Sequence, residues 1–251
     1  ATRTGHRIAW HRNKADIQSA QARVEALLRE GLRLDEAVEI AILNNPRLQA
    51  IYEDIGIAEA GVVEATLPPN PSFETLYKSV RGDGHIWELM AVQEIVDVLL
   101  IPWHKKAAEY NAERIRARVT ANVLDVLLTV KTAYRRAQAA EQILGMTETV
   151  LQSDRAAYEM AQRLRKAGNI SKLELRGRKA VLEQTRMALS NAELRLAERR
   201  EALHVVLGLD GQESTWTLAS PLPDLPSEHL QPQTMRAVAR DNSLDLTMAR
   251  K

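Results

Sequence analysis

Few residues of this 251-residue chain have the types and spacing that catalysis or metal binding requires. The six histidines stand at positions 6, 11, 85, 104, 204 and 229, and none has the H-x-x-x-H spacing that puts two imidazoles on one helix face. With no cysteine, neither a thiolate metal site nor a disulfide can form. No Gly-rich loop leads from a strand into a helix, as a phosphate cradle would. The residues therefore point away from an enzyme, and no cofactor or metal is expected. Arg81, Gly82 and Asp83 spell a cell-adhesion tripeptide, but motifs this short recur by chance.

Recognition rather than reaction is left, and its best-specified point is "RLRKAGNISKLEL", residues 163–175. Gly168 and Asn169 tolerate the left-handed conformation that closes a helix, and Arg163, Arg165 and Lys166 place positive charge on its last turn. Ser171 and Glu174 have the S-x-x-E spacing of a capping box that opens the next helix. The spacing predicts a tight helical hairpin with its tip at 167–172. Ile170 is expected to be exposed there. On the residues alone, Gly168, Asn169, Ile170, Ser171, Leu173 and Glu174 either turn the chain and no more, or also meet a partner.

Long helices must carry that tip. From Pro102 to about Lys166 the pattern is helical, roughly 90 Å at 1.5 Å per residue. Val123, Val130, Ala137, Leu144, Leu151 and Tyr158 recur every seven residues, and after the tip so do Leu175, Leu182, Leu189, Leu196 and Leu203. Sustained heptads of this kind mean helices packed side by side with coiled-coil geometry, with the leucine row as helix packing.

Upstream, residues 1–31 read as a polar arm and a short helix, and 32–67 as two further helices. The second of these starts at Pro46, capped by Asn44 or Asn45, and ends before "LPPNP". Residues 68–101 read as a β-hairpin, "SFETLYKSV" and "HIWELMAVQEIV" flanking "RGDG". One face carries Phe73, Thr75 and Tyr77 on the first strand and Trp87, Leu89, Ala91 and Ile95 on the second; the other carries Glu74, Leu76 and Lys78 on the first and Glu88 and Glu94 on the second. Such a hairpin is either a half-buried soluble one or a barrel hairpin with a lipid side and a polar side. Residues 102–209 form the helical hairpin, and 210–232 a Pro/Gly-rich connector. Over 233–251 the pattern of Leu32, Ile40, Ala41, Asn44 and Leu48 returns as Leu230, Val238, Ala239, Asn242 and Leu246, which suggests the start of a truncated second repeat.

Composition agrees with long packed helices. Aromatic residues are 4% of the chain, too few for a typical globular interior. Thirty-four basic against 33 acidic residues give a net charge of +1, so no field draws the chain to nucleic acid. No stretch approaches the roughly 20 apolar residues of a spanning helix, and "ATRTGHRIAW" lacks the apolar core of a secretory signal.

The stretches "LDEAVEIAILNNPRLQA", "IGIAEAGVVEATLPPNPSFE" and "AGNISKLEL", in that order, resemble the TolC-like outer-membrane efflux proteins over about residues 24–251. The resemblance implies a mainly α fold: a long antiparallel coiled-coil hairpin, with a short β-hairpin contributing to a membrane β-barrel. It implies a homotrimeric conduit in the outer membrane with its helices in the periplasm, and no nucleic-acid partner. Phe73, Tyr77, Trp87 and Leu89 would then face the membrane. The tip would dock a periplasmic adaptor protein and, through it, an inner-membrane transporter. Family members have two repeats, so the second hairpin and strand pair are expected beyond Lys251, the alternative being a single-repeat protein that closes as a hexamer. The sequence departs from the family at Arg33, where Ser or Thr usually pairs with Glu36; Asp35 is expected to substitute. The N-terminal lipid-bearing Cys of many members is absent, as is any signal. A cytosolic or periplasmic coiled-coil scaffold and a peptide-binding helical module stay open as other classes, though a scaffold has no need of "LPPNP" and an apolar-faced hairpin between its helices.

Overall fold

A computed structural model describes residues 13–29, 31–80, 84–93, 95–209, 216–224, 231–244, 246 and 249. The N-terminal arm, the "RGD" tripeptide and much of the 210–232 connector lie outside them. The order is α1 (Lys14–Arg29), α2 (Leu34–Asn44), α3 (Pro46–Glu64), β1 (Ser72–Val80), β2 (Gly84–Val92), α4 (Ile95–Lys166), α5 (Lys172–Leu207) and α6 (Pro232–Asn242). The described residues are thus mainly helical, with one two-stranded antiparallel sheet. The chain divides into two compact units, Ala1–Gln49 with Val123–Leu230, and Ala50–Asn122 with Gln231–Lys251.

The first unit is built on the 3.6-residue period. Along α4, Val123, Val130 and Ala137 are buried, and Leu144, Leu151 and Tyr158 are half-buried. Along α5, Leu182 and Leu203 are buried, with Leu175, Leu189 and Leu196 half-buried. The α4 and α5 faces are joined by Thr185 Oγ1 donating to Asp154 Oδ2 at 2.6 Å and by Arg200 to Glu141 at 3.4 Å. Toward the other end, Leu32, Ile40, Leu48, Tyr134, Leu207 and Leu209 form a fully buried cluster.

Polar groups fix that cluster. The Tyr134 hydroxyl donates to the Leu32 carbonyl at 2.8 Å. Leu32 also pairs in parallel with Leu218, its N–H donating to Thr217 and its carbonyl accepting from Ala219. Buried Gln138 donates to the carbonyls of Ser220 at 2.6 Å and Pro221 at 3.1 Å. The part of the connector that reads as loose in sequence is therefore tied down by residues far from it in the chain.

The Arg33 substitution is accommodated by Glu36 rather than Asp35. Its carboxylate accepts from the Arg33 backbone N–H at 2.8 Å and from Nε at 2.8 Å. A guanidinium has no acceptor, so only the acidic half of a capping box is made. Burial pushes the Glu36 carboxyl up, but its bonds to Arg33 and the charges of Arg33 and Arg23 outweigh this and hold it below its ordinary value.

In the second unit, Tyr52, Ala58, Ala112 and Val119 are buried, and Arg116 meets Glu59 at 3.0 Å. Two expectations need correction. The second strand stops at Val92 instead of running to 96, and α4 begins at Ile95 instead of Pro102, which lies inside it. The reason is the ladder: Val92 pairs with Ser72, and the residue before Ser72 is Pro71, which has no N–H to extend it. The apolar run after Val92 fits either period, and without a partner strand it closes its own backbone bonds as helix.

Helix α6 repeats α2. Leu34 to Pro232 and Asn44 to Asn242 are the same displacement of 198 residues, and both helices have 11 residues. Whereas α2 buries Ala37, Val38, Ile40, Ala41 and Ile42, no residue of α6 is buried.

Candidate docking tip and membrane hairpin

The tip is closed by a Schellman motif. Gly168 has φ +82°, its N–H donates to Arg165 at 3.1 Å, and that of Asn169 reaches back to Leu164 at 2.9 Å. Ser171 then opens α5 with a reciprocal capping box: Glu174 N–H donates to Ser171 Oγ at 3.1 Å, and Ser171 N–H to Glu174 Oε2 at 2.7 Å. Bonds to the Ser171 backbone and then to its side chain hold the Glu174 carboxyl below its usual value. The turn is therefore satisfied within itself.

The apolar side chains of the tip are placed differently from the expectation. Ile170 is half-buried, not exposed, in a groove of about 620 Å³ lined also by Met160, Leu164, Gly177 and Val181. Its carbonyl accepts from Arg165 Nη1 at 3.0 Å. Leu173 is the side chain that faces outward, 79% exposed in the first turn of α5. The reason is geometric: the residue after the left-handed glycine and Asn169 is directed back toward α4, whereas Leu173 points away from it.

In the hairpin the register sets Phe73 opposite Ala91, Thr75 opposite Leu89 and Tyr77 opposite Trp87. All of these belong to one face, because side chains alternate along both strands. The Tyr77 and Trp87 rings lie 4.9 Å apart between centroids, tilted by 53°. Trp87 and Leu89 are 74% and 75% exposed. On the other face Lys78 stands 3.9 Å from Glu88. Gln93 Nε2 donates to the Pro69 carbonyl at 3.0 Å and closes the base. Neither face is covered within the described residues.

Sequence reading missed three placements. Asn45 serves α5 as well as α3, and Asn44 at the end of α2 reaches the same place, their side-chain amides donating to the carbonyls of Val206 and Gly208. Arg200 lies 5.6 Å over the ring of Trp216, and Tyr134 and Gln138 anchor residues 32 and 218–221. Each joins residues with no periodic relation, and the only visible signal was a polar residue at a core-facing helical position. Among the described residues no His, Asp or Glu group could hold a metal ion, and no helix is long and apolar enough to cross a membrane.

The sequence model of the outer membrane efflux protein family matches residues 90–209. No curated protein matches the chain. The fold is similar to that of CusC, whose structures concern folding and transmembrane channel formation, with a TM-score of 0.64 at 19% identity over 79% of this chain and 48% of that one. It is similar to a membrane protein from Pseudomonas aeruginosa (TM-score 0.63, 18% identity, 86% of this chain and 53% of that one). The Campylobacter jejuni CmeC outer membrane channel gives a TM-score of 0.64 at 17% identity, over 78% of this chain and 45% of that one. The chain spans about half the length of these solved proteins. The family match over β2 through α5, with the fold shared across most of the chain, supports a TolC-like outer membrane efflux family.

Proposed function

We propose that the chain is part of an outer-membrane efflux channel, a trimeric conduit that carries compounds from the periplasm to the exterior. In this reading β1 and β2 supply two strands to a shared barrel, with Phe73, Tyr77, Trp87 and Leu89 toward lipid and Glu74, Lys78 and Glu88 toward the lumen. The paired helices α4 and α5 form part of a periplasmic tube. The tip residues Gly168 to Glu174 dock a periplasmic adaptor protein that leads to an inner-membrane transporter.

The hairpin is the observation that carries the reading. Its strands have nine residues each, the length a tilted strand needs to cross a bilayer. A two-stranded sheet with both faces uncovered is marginal in water, but a barrel supplies both the missing edges and the missing apolar surroundings. The recurrence of α2 as α6 supports a second repeat that would contribute a further strand pair. Adaptor docking draws support from a turn that is satisfied internally yet presents Leu173 to solvent.

The test is Leu173→Glu in the full-length protein, read as tolerance of cells to exported compounds. A charge set against a packed partner at the centre of an interface costs about 2 kcal/mol or more. Tolerance should fall while protein level and trimer stay normal. Undiminished tolerance would reduce the tip to a turn.

A further inference from the structure

The start of α4 carries a row of apolar side chains that the described residues leave uncovered. Its sequence is "IVDVLLIPWHKKAAEY", residues 95–110. At 100° per residue, Val96, Leu99, Leu100, Trp103 and Tyr110 fall on one arc, with Ile95 at its border. Ile95, Val96, Leu99 and Trp103 are each about two-thirds exposed. No residue of α4 before Ala112 is buried; the buried stripe runs on from there through Val119 and Val123. One helix thus has two apolar regimes, an open one up to Tyr110 and a covered one after it.

We propose that Ile95–Tyr110 is an interfacial anchor, lying in the phospholipid headgroup layer at the foot of the β-hairpin. The inference rests on the reading of β1 and β2 as membrane strands. Three observations favour lipid as the occupant. The segment begins three residues after Val92, the end of a bilayer-length strand, so the chain reaches this depth as it leaves the membrane. Its arc contains Trp103 and Tyr110, whose rings have an apolar body and a polar tip suited to the boundary between acyl chains and headgroups. Lys106, at the edge of the arc, can reach lipid phosphate along its apolar stem, while Lys105 lies on the opposite side of the helix, 3.9 Å from Glu109. A segment this short and interrupted by Asp97 does not cross the membrane.

The experiment uses the full-length protein reconstituted into phosphatidylcholine vesicles whose acyl chains are brominated near the headgroup or near the bilayer centre. Trp103→Phe and Trp87→Phe are both exposed, conservative changes, so subtracting each variant from the parent isolates the quenching of that one tryptophan. Trp103 should be quenched by the shallow bromine several-fold more than by the deep one. Adding phosphatidylglycerol should strengthen its quenching, and Lys106→Gln should remove that gain, a lysine contributing about five-fold near an anionic surface, whereas Lys105→Gln on the opposite side should leave it. If Trp87 is quenched but Trp103 is not, the anchor is wrong and the membrane hairpin stands. If Trp103 is then also shielded from aqueous iodide, the arc is a face between copies. If neither tryptophan is quenched, both readings fall.

Discussion

The side-chain amide of Asn45 donates to the backbone carbonyl of Val206, 161 residues later, at 2.7 Å. Its own Oδ1 accepts from the backbone N–H of Arg47 at 2.9 Å and Leu48 at 3.2 Å. One buried residue thus caps the start of α3 and satisfies an orphan carbonyl at the end of α5. Asn45→Ala should destabilise by about 2 kcal/mol, the sum of a lost cap and an unpaired buried acceptor. Asn45→Asp keeps the cap but sets a carboxylate against the Val206 carbonyl, so it should not rescue. Urea midpoints of the two variants check this, and recovery by aspartate would show that only the cap matters.

Gly168 and Gly208 both close helices with positive φ, +82° and +73°, yet they should respond differently to alanine. A Cβ on Gly168 meets nothing within 4 Å, so only the left-handed conformation is penalised, about 1 kcal/mol. A Cβ on Gly208 would stand 2.5 Å from the Asn44 carbonyl oxygen, which is backbone and cannot move aside. Gly208→Ala should therefore cost clearly more, on the order of 3 kcal/mol with the contact included. Equal losses in thermal unfolding would contradict the close approach.

At the tip, stability and docking should separate between two neighbours. Ile170→Glu places a carboxylate in the groove beside Met160 and Leu164 and should destabilise by about 1–2 kcal/mol. Leu173→Glu, on an exposed side chain, should change stability by less than about 0.5 kcal/mol. Hydrogen exchange of the α5 amides distinguishes them. The first variant should lose protection in the first turns and the second should keep it.

Acid should loosen the α2 start through Glu36. Its folded-state ionisation lies below the ordinary carboxyl value, so its contribution is present above that value and is lost as pH falls through the lowered one. Glu36→Gln should lie below the parent in urea stability at neutral pH, with the gap closing on acidification. A gap that does not vary with pH would assign the effect to shape instead of charge.

Much of this architecture is local and was legible without coordinates. Helix ends are written by Gly168, Ser171, Glu174, Pro46 and Pro68, whose effects reach no more than about four residues along the chain. The heptad rows name the buried faces of α4 and α5, because a 3.6-residue period fixes which side chains share a side. Strand alternation likewise names the two hairpin faces, and the register only had to align Tyr77 with Trp87. Tertiary structure decided what sequence spacing cannot express. The ladder ended β2 at Val92 for want of a donor at Pro71 and released Ile95–Ile101 to helix. The path of the turn, not its composition, put Ile170 in the groove and Leu173 in solvent. Asn45, Tyr134 and Gln138 each donate to a carbonyl more than 80 residues away, and a buried polar group is satisfied by whichever backbone the fold brings to it.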